Sequence, residues 1–283
     1  MIMNLLKNKL QLFVTLIFLG YVGRWISFQH VVTKLGTSVQ DFGYTYGFIA
    51  LAGSIIGFYA ARKWGGFKTV LGKALMFFAF SLFAQDAGQI IYAYYIVVAK
   101  IQIPYPSWGD VAYFGSVLLY ITSALYLAKA TGVKFALRRP KYKVLVALIP
   151  IVLVGVSYAI ILHNHQYDTS KPLTVFLDAG YPVGQAIYIS IAVLAYLSSR
   201  KLLGGVMRHG ILFIIFAFSI QYISDFTFIF QSNRGTYVPG GRDDLLYLVS
   251  YFVATTAMIK FYATYAGLKS KPSVNSVAET DDR

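Results

Sequence analysis

Two aspartates stand inside hydrophobic runs that offer them no water. Asp86 lies within the run 69–97 and Asp225 within the run 209–231. An acid at the centre of a membrane-spanning helix costs about 2.5–3.5 kcal/mol on insertion scales, so its presence calls for a reason. Polar side chains accompany both: Gln85 and Gln89 flank Asp86, and Gln221 and Ser224 precede Asp225. Asp86 and Gln89 are three residues apart and Gln221 and Asp225 four, spacings that share one helix face. Each stripe leads into a loop with Gly and Pro, and an acid then opens the next apolar run. The first loop reads Pro104-Tyr105-Pro106-Ser107-Trp108-Gly109-Asp110, the second Gly235-Thr236-Tyr237-Val238-Pro239-Gly240-Gly241-Arg242-Asp243-Asp244. Tyr113 and Tyr247 follow Asp110 and Asp244 at the same offset.

Enclosed carboxylates backed by amides and phenols can hold a proton, a cation or a polar ligand, or can activate water as general bases. They can also do no more than hydrogen-bond one helix to another. A plainer account exists for the loop acids, since an acid in the first turn favours the positive end of the helix dipole and Ser107 can cap. That account leaves the matched tyrosines unexplained. The candidate ligand-binding set is therefore Asp86, Gln89, Asp110, Tyr113, Gln185, Gln221, Asp225, Asp244 and Tyr247, where Gln185 joins from the run 176–199 beside Gly184.

The elements that must position these residues follow from composition. The chain is 57% hydrophobic but only 13% charged, well below the charge content of a soluble domain. Eight apolar segments are long enough to span a bilayer, at about 10–29, 44–62, 69–97, 110–129, 143–163, 176–199, 209–231 and 244–267. An all-α, polytopic bundle of eight transmembrane helices is expected over 1–267, with a disordered cytoplasmic tail over 268–283. The first run has no small-residue cleavage site behind it and reads as a span rather than a signal peptide.

Alternate connections collect 19 of the 25 basic residues on one side, which by the positive-inside rule puts both termini in the cytoplasm of a cell with an inner membrane. This placement accounts for the net charge of +14 without nucleic acid. Eight of the eleven acids, Asp41, Asp86, Asp110, Asp168, Asp178, Asp225, Asp243 and Asp244, fall in the opposite half.

The chain also repeats itself at a spacing of about 137–139 residues. Asp41-Phe42-Gly43-Tyr44 matches Asp178-Ala179-Gly180-Tyr181, Arg62-Lys63 matches Arg200-Lys201, and Phe78-Ala79-Phe80-Ser81 matches Phe216-Ala217-Phe218-Ser219. Two four-helix units, about 10–130 and 143–267, would enter from the same side and relate by a pseudo-two-fold axis along the membrane normal. Asp86 and Asp225 would then face each other across that axis.

Other chemistries are poorly served. Without cysteine there is no thiolate metal site, cysteine nucleophile or c-type haem attachment. His163, His165 and Asp168, with His30 in the equivalent place, match no closed zinc motif. Lys260 suggests a retinal Schiff base, but it stands near the cytoplasmic end, where lysine snorkels and the candidate counter-ions are remote. No phosphate loop or Ser/His/Asp pattern stands out. No cofactor and no metal are expected.

The two acidic devices resemble the multi-helix membrane modules that precede diguanylate cyclase (GGDEF) and histidine kinase domains in bacteria. The likeness rests on Pro106, Ser107, Asp110 and Tyr113, on Asp86, on Tyr181, Pro182 and Gly184, and on Gly235, Thr236, Tyr237, Asp244, Leu245 and Leu246, and covers roughly 41–267. It implies a membrane sensor that binds a small-molecule ligand and acts through a signalling protein partner, since no output domain follows within the sequence. Where the pattern has an acid after Tyr-Pro-x-Gly, this chain has Gln185. A second resemblance is to the lysoplasmalogenase family, through the Ser224-Asp225 element. It implies a membrane-lipid hydrolase in which Asp86 and Asp225 activate water; the Gly-Asp of that family stands here as Gly184-Gln185. The sensor is the leading expectation, the hydrolase the alternative, and a structural scaffold the third.

Overall fold

A backbone that crosses hydrocarbon must satisfy its own N–H and C=O groups, and a chain this apolar does so by forming helices. The computed structural model describes residues 9–35, 40–159, 170–199 and 206–269. The described residues contain ten α-helices: α1 Lys9–Leu35, α2 Gln40–Thr45, α3 Phe48–Lys63, α4 Val70–Val97, α5 Trp108–Ala130, α6 Val133–Ala136, α7 Pro140–Ser157, α8 Pro172–Ser198, α9 Arg208–Asn233 and α10 Arg242–Lys269. A single 3-10 turn, Gly66–Lys68, joins α3 to α4. Among the described residues there is no strand. Seven helices are long and apolar enough to cross a membrane, namely α1, α4, α5, α7, α8, α9 and α10. The fold is all-helical and that of a multi-pass membrane protein.

Six helices close a ring. Going round it, α3 packs on α4, α4 on α5, α5 on α8, α8 on α9, α9 on α10, and α10 back on α3. Two helices stand outside: α1 leans on α10 and α7 on α8. Little of either outer helix is buried, so each presents most of its apolar surface to its surroundings. The ring is not a pore. Phe78, Tyr120, Tyr188 and Phe218, from α4, α5, α8 and α9, fill its middle, with ring centroids 5.3 Å apart for Phe78–Tyr120, 5.0 Å for Tyr120–Phe218 and 4.2 Å for Tyr188–Phe218.

The two ends of the ring differ in chemistry. At one end lie Lys63, Lys68, Lys129, Lys134, Arg208 and Lys269. Trp64 seals this end by donating its indole N–H to the Phe261 carbonyl at 3.0 Å. Lys260 stands next to that contact in sequence. At the other end are the connections 98–107 and 234–241, here called the loop end. Trp25 of α1 reaches this end and donates to the carbonyls of Gly240 and Gly241, both at 3.1 Å, which ties α1 to the second connection.

The apolar segments match the helices with two differences. The segment expected at 143–163 is α-helical over Pro140–Ser157 and continues as π-helix through Tyr158 and Ala159, while 160–163 lie outside the described residues. The segment expected at 44–62 is not one helix: α2 stops at Thr45, Tyr46 and Gly47 form a turn, and α3 begins at Phe48. Gly47 stands at this turn, and its lack of a Cβ lets α4 come close: an added Cβ would meet the Gln89 side chain at 2.9 Å and Asp86 Oδ1 at 3.2 Å. At this break Gln89 Nε2 donates to the Gly43 carbonyl, a backbone acceptor that a continuous helix would keep to itself. The tail expected over 268–283 falls almost wholly outside the described residues.

The close approach at Gly47 can be measured. Gly47→Ala should lower the thermal midpoint in detergent, because overpacking costs about 1–3 kcal/mol and exceeds what alanine gains as a helix former. Gly115→Ala, whose added Cβ meets nothing within 4 Å, should keep or raise the midpoint. Equal shifts for the two variants would contradict the packing at the break.

Candidate functional site

The loop end of the ring encloses a chamber of about 30 Å³. That is room for about one or two waters or one small ion. Its wall has three carboxylates (Asp110, Asp225, Asp244), seven phenols (Tyr46, Tyr92, Tyr113, Tyr181, Tyr237, Tyr247, Tyr251), and Phe228 and Ile229. No lysine, arginine or histidine is among these lining residues.

Local sequence explains each carboxylate's position. Asp110 closes a capping box at the start of α5: it accepts the Ser107 backbone N–H at 2.7 Å and the Ser107 hydroxyl at 3.0 Å, while Ser107 Oγ accepts the Gly109 N–H at 3.1 Å. Its other oxygen accepts the Tyr181 hydroxyl of α8 at 3.3 Å. Asp244 does the equivalent work at the start of α10. It accepts the Gly240 N–H at 2.5 Å, the Tyr237 hydroxyl at 3.2 Å and the Tyr46 hydroxyl at 3.3 Å. Asp225 lies within α9 and has no cap role. It accepts the Tyr247 hydroxyl at 2.6 Å, the Gln221 amide at 3.2 Å, and the Gln185 amide from α8. All of these partners are neutral.

The amides act as struts behind the wall. Gln85 donates to Ser116 Oγ at 2.7 Å and accepts the Tyr251 hydroxyl at 2.8 Å, which links α4, α5 and α10. Gln221 accepts the Ser250 hydroxyl at 2.9 Å. Gln89 accepts the Tyr113 hydroxyl at 2.9 Å. Tyr113 can lie this close across α4 because Gly88 is bare; a Cβ there would meet its ring at 2.8 Å.

The loop tyrosines are held in place by acids. Tyr105 donates to Asp178 Oδ1 of α8 at 2.7 Å. Burial, and then the Asp178 charge, push the Tyr105 phenol upward, and burial with the Asp244 charge pushes the Tyr237 phenol well up. Both stay protonated and remain donors at neutral pH.

Of the nine residues singled out by sequence, Asp110, Tyr113, Asp225, Asp244 and Tyr247 line the chamber. Gln185 and Gln221 hold Asp225, and Gln89 holds Tyr113, so these three act from behind the wall. Asp86 is not among the lining residues; it is buried beside the Gly47 break. Ser224 also leaves its expected stripe and donates back to the Ile220 carbonyl of its own helix at 2.8 Å. The expectation that Asp86 and Asp225 occupy matching places meets a difference of register. Gln89 lies eight residues before the end of α4 and Asp225 eight before the end of α9. Both accept a tyrosine hydroxyl from the next helix, Tyr113 and Tyr247 respectively.

Sequence reasoning missed Tyr46, Tyr92, Tyr251, Phe228 and Ile229, which sit in apolar helices or the helix break and give no local signal. Tyr181 and Tyr237 appeared in the repeat, the second loop and the resemblance, but not in the candidate binding set. Among the described residues no three His, Cys, Asp or Glu side chains gather closely enough to hold a metal ion. His163, His165 and Asp168 lie outside the described residues, as does the His30 side chain.

No family model matches the chain, and no curated protein or solved structure matches it. The fold and the chamber thus define the class on their own: an all-helical multi-pass protein with an acid- and phenol-lined chamber near one end of its bundle.

The capping box gives a direct test of how Asp110 is held. Ser107→Ala should lose about 0.5–2 kcal/mol of stability, the usual worth of an N-cap. Asp110→Ala should lose more, and the double variant less than the sum, because the two side chains bond each other. Strict additivity in a double-mutant cycle by thermal unfolding would contradict the box.

Proposed function

We propose that this protein is a receptor-like membrane protein whose chamber binds a small cation, an alkali ion or a small protonated amine. The observation that supports this best is the composition of the wall. Three carboxylates converge from three helices, all their hydrogen-bond partners are neutral, and no basic side chain lines the space. Enclosed acids without a cation are costly, and a bound cation relieves the cost. Seven tyrosines also line the space, and any ring that turns its face to a cation adds attraction of the same sign. The carboxylates do not form a three-ligand metal cluster, which favours a singly charged guest over a tightly coordinated divalent ion.

The ring arrangement supports two repeats. Exchanging α3 with α8, α4 with α9 and α5 with α10 turns each helix contact of the ring into another that is present. On this reading the broken pair α2–α3 serves as one span of eight. The basic end faces the cytoplasm and the loop end faces outward, so the chamber samples the outside medium. Occupancy would be passed to a signalling protein partner through the ring helices.

The test is thermal stabilisation of purified protein by sodium, potassium, ammonium, methylammonium or choline chloride at constant ionic strength. Wild type should gain with at least one of them, by about 2.7 kcal/mol at a hundred times its dissociation constant. Asp225→Asn and Asp244→Asn should blunt the gain, whereas Asp86→Asn should keep it. A flat response in wild type, or an equal response in all three variants, would count against the chamber as the binding site.

A further inference from the structure

A second, larger cavity of about 820 Å³ opens at the loop end, between the connection 98–107, the end of α4 and the connection 234–241. Its wall includes Val97, Ile101, Tyr105 and Pro239. Only two residues line both this vestibule and the chamber: Phe228 and Tyr237. They are in edge-to-face contact with centroids 5.0 Å apart, and Phe228 also meets Tyr92 and Tyr105, each at 6.4 Å.

We infer that Phe228 is the size-selecting gate between the vestibule and the acidic chamber, admitting small cations and excluding bulky ammonium ions. The inference rests on the cation reading of the chamber. Four rings meet at the neck, and they differ in how they are held. Tyr105 is tied through its hydroxyl to Asp178 at 2.7 Å, and Tyr237 to Asp244 at 3.2 Å. Phe228 has no polar atom to tether it and is held by ring contacts. Tyr92 is hydrogen-bonded to Ser107 and Asp110, so of the four rings Phe228 is the one that can swing without breaking a hydrogen bond. It also lies three residues beyond Asp225 on α9, about one turn nearer the loop end, so a guest that passes it arrives at that carboxylate. The neighbouring cavities differ greatly in size, with about 820 Å³ on one side of the ring and about 30 Å³ on the other, so the neck is where size is sorted.

The chain contains no cysteine, so an introduced thiol is unique. Ile229→Cys places one in the chamber wall and Val97→Cys one in the vestibule. Each is treated with a bulky cationic reagent, trimethylammonium-ethyl methanethiosulfonate, with Phe228 intact and with Phe228→Ala. The vestibule thiol should react quickly in both. The chamber thiol should react slowly with Phe228 present and about tenfold faster or more without it, since the ring contacts holding the neck shut are gone. Phe228→Leu, which retains apolar bulk, should fall between and guards against a folding defect in the alanine variant.

A chamber thiol that reacts as fast as the vestibule thiol with Phe228 in place would overturn the gate, as would one whose rate ignores Phe228→Ala. Ammonium or methylammonium should slow the reaction of the opened chamber, and Asp225→Asn should weaken that protection. If Phe228→Ala speeds the reaction but no cation slows it, the cation reading fails while the neck stands.

Discussion

The chamber depends on one constraint: the carboxylates that face it, taken out of bulk water, must be held by donors. Asp110, Asp225 and Asp244 each receive at least three hydrogen bonds, from backbone N–H groups, serine, tyrosine or glutamine. Meeting that demand dictates much else at the loop end. It places Tyr181 of α8 against α5, Tyr46 from the helix break against α10, and Gln185 of α8 against α9. Interhelical hydrogen bonds in membranes are modest individually, averaging about 0.6 kcal/mol. Here they converge from several helices on three acceptors, so their arrangement fixes which helices touch at this end. The middle of the ring is held differently, by the packing of Phe78, Tyr120, Tyr188 and Phe218.

The two helix-opening acids, Asp110 and Asp244, are followed by the same device with a telling difference. Tyr113 and Tyr247 follow their helix-opening acids at the same offset, and each donates its hydroxyl to a side chain on the preceding long helix. For Tyr113 the acceptor is the neutral amide of Gln89, for Tyr247 the carboxylate of Asp225. A symmetric pair of acids at these places would add a further negative charge to a small enclosed space. The substitution keeps the acceptor and omits that charge. Asp86, the acid that α4 does have, stands one residue after Gln85 and three before Gln89, beside the break at Gly47. Its depth and its neighbours differ from those of Asp225, so similarity of residue type hid a difference of position.

What the sequence disclosed, and what it hid, follows from the range of each interaction. Ser107 and Asp110 interact across three residues, and a Ser-x-x-Asp element at a helix start announces itself locally. The helices were legible because hydrocarbon demands long apolar runs. Tyr92 and Tyr251 were not, since they are two among many aromatics in apolar helices and only tertiary packing turns them inward. The split between α2 and α3 was hidden for a similar reason. Gly43 and Gly47 look like ordinary glycines of a membrane helix, and the partner they meet at the break, Gln89, lies on α4. Phe228 carried no signal, because a gate is defined by the spaces on either side of it.

A final consequence concerns why phenols rather than smaller hydroxyls build the wall. A tyrosine supplies a rigid arm long enough to reach from one helix to an acid on the next, at the cost of only two side-chain torsions. Tyr46, Tyr181, Tyr237 and Tyr247 all direct their hydroxyls onto chamber carboxylates, and Tyr113 and Tyr251 direct theirs onto glutamines. With those hydroxyls engaged, much of what the tyrosines leave facing the space is ring. Ring faces and carboxylates carry the same sign of potential. The electrostatic preference of the chamber therefore does not hinge on the protonation of any single aspartate: neutralising one acid leaves two others and the aromatic faces, and the wall still disfavours anions.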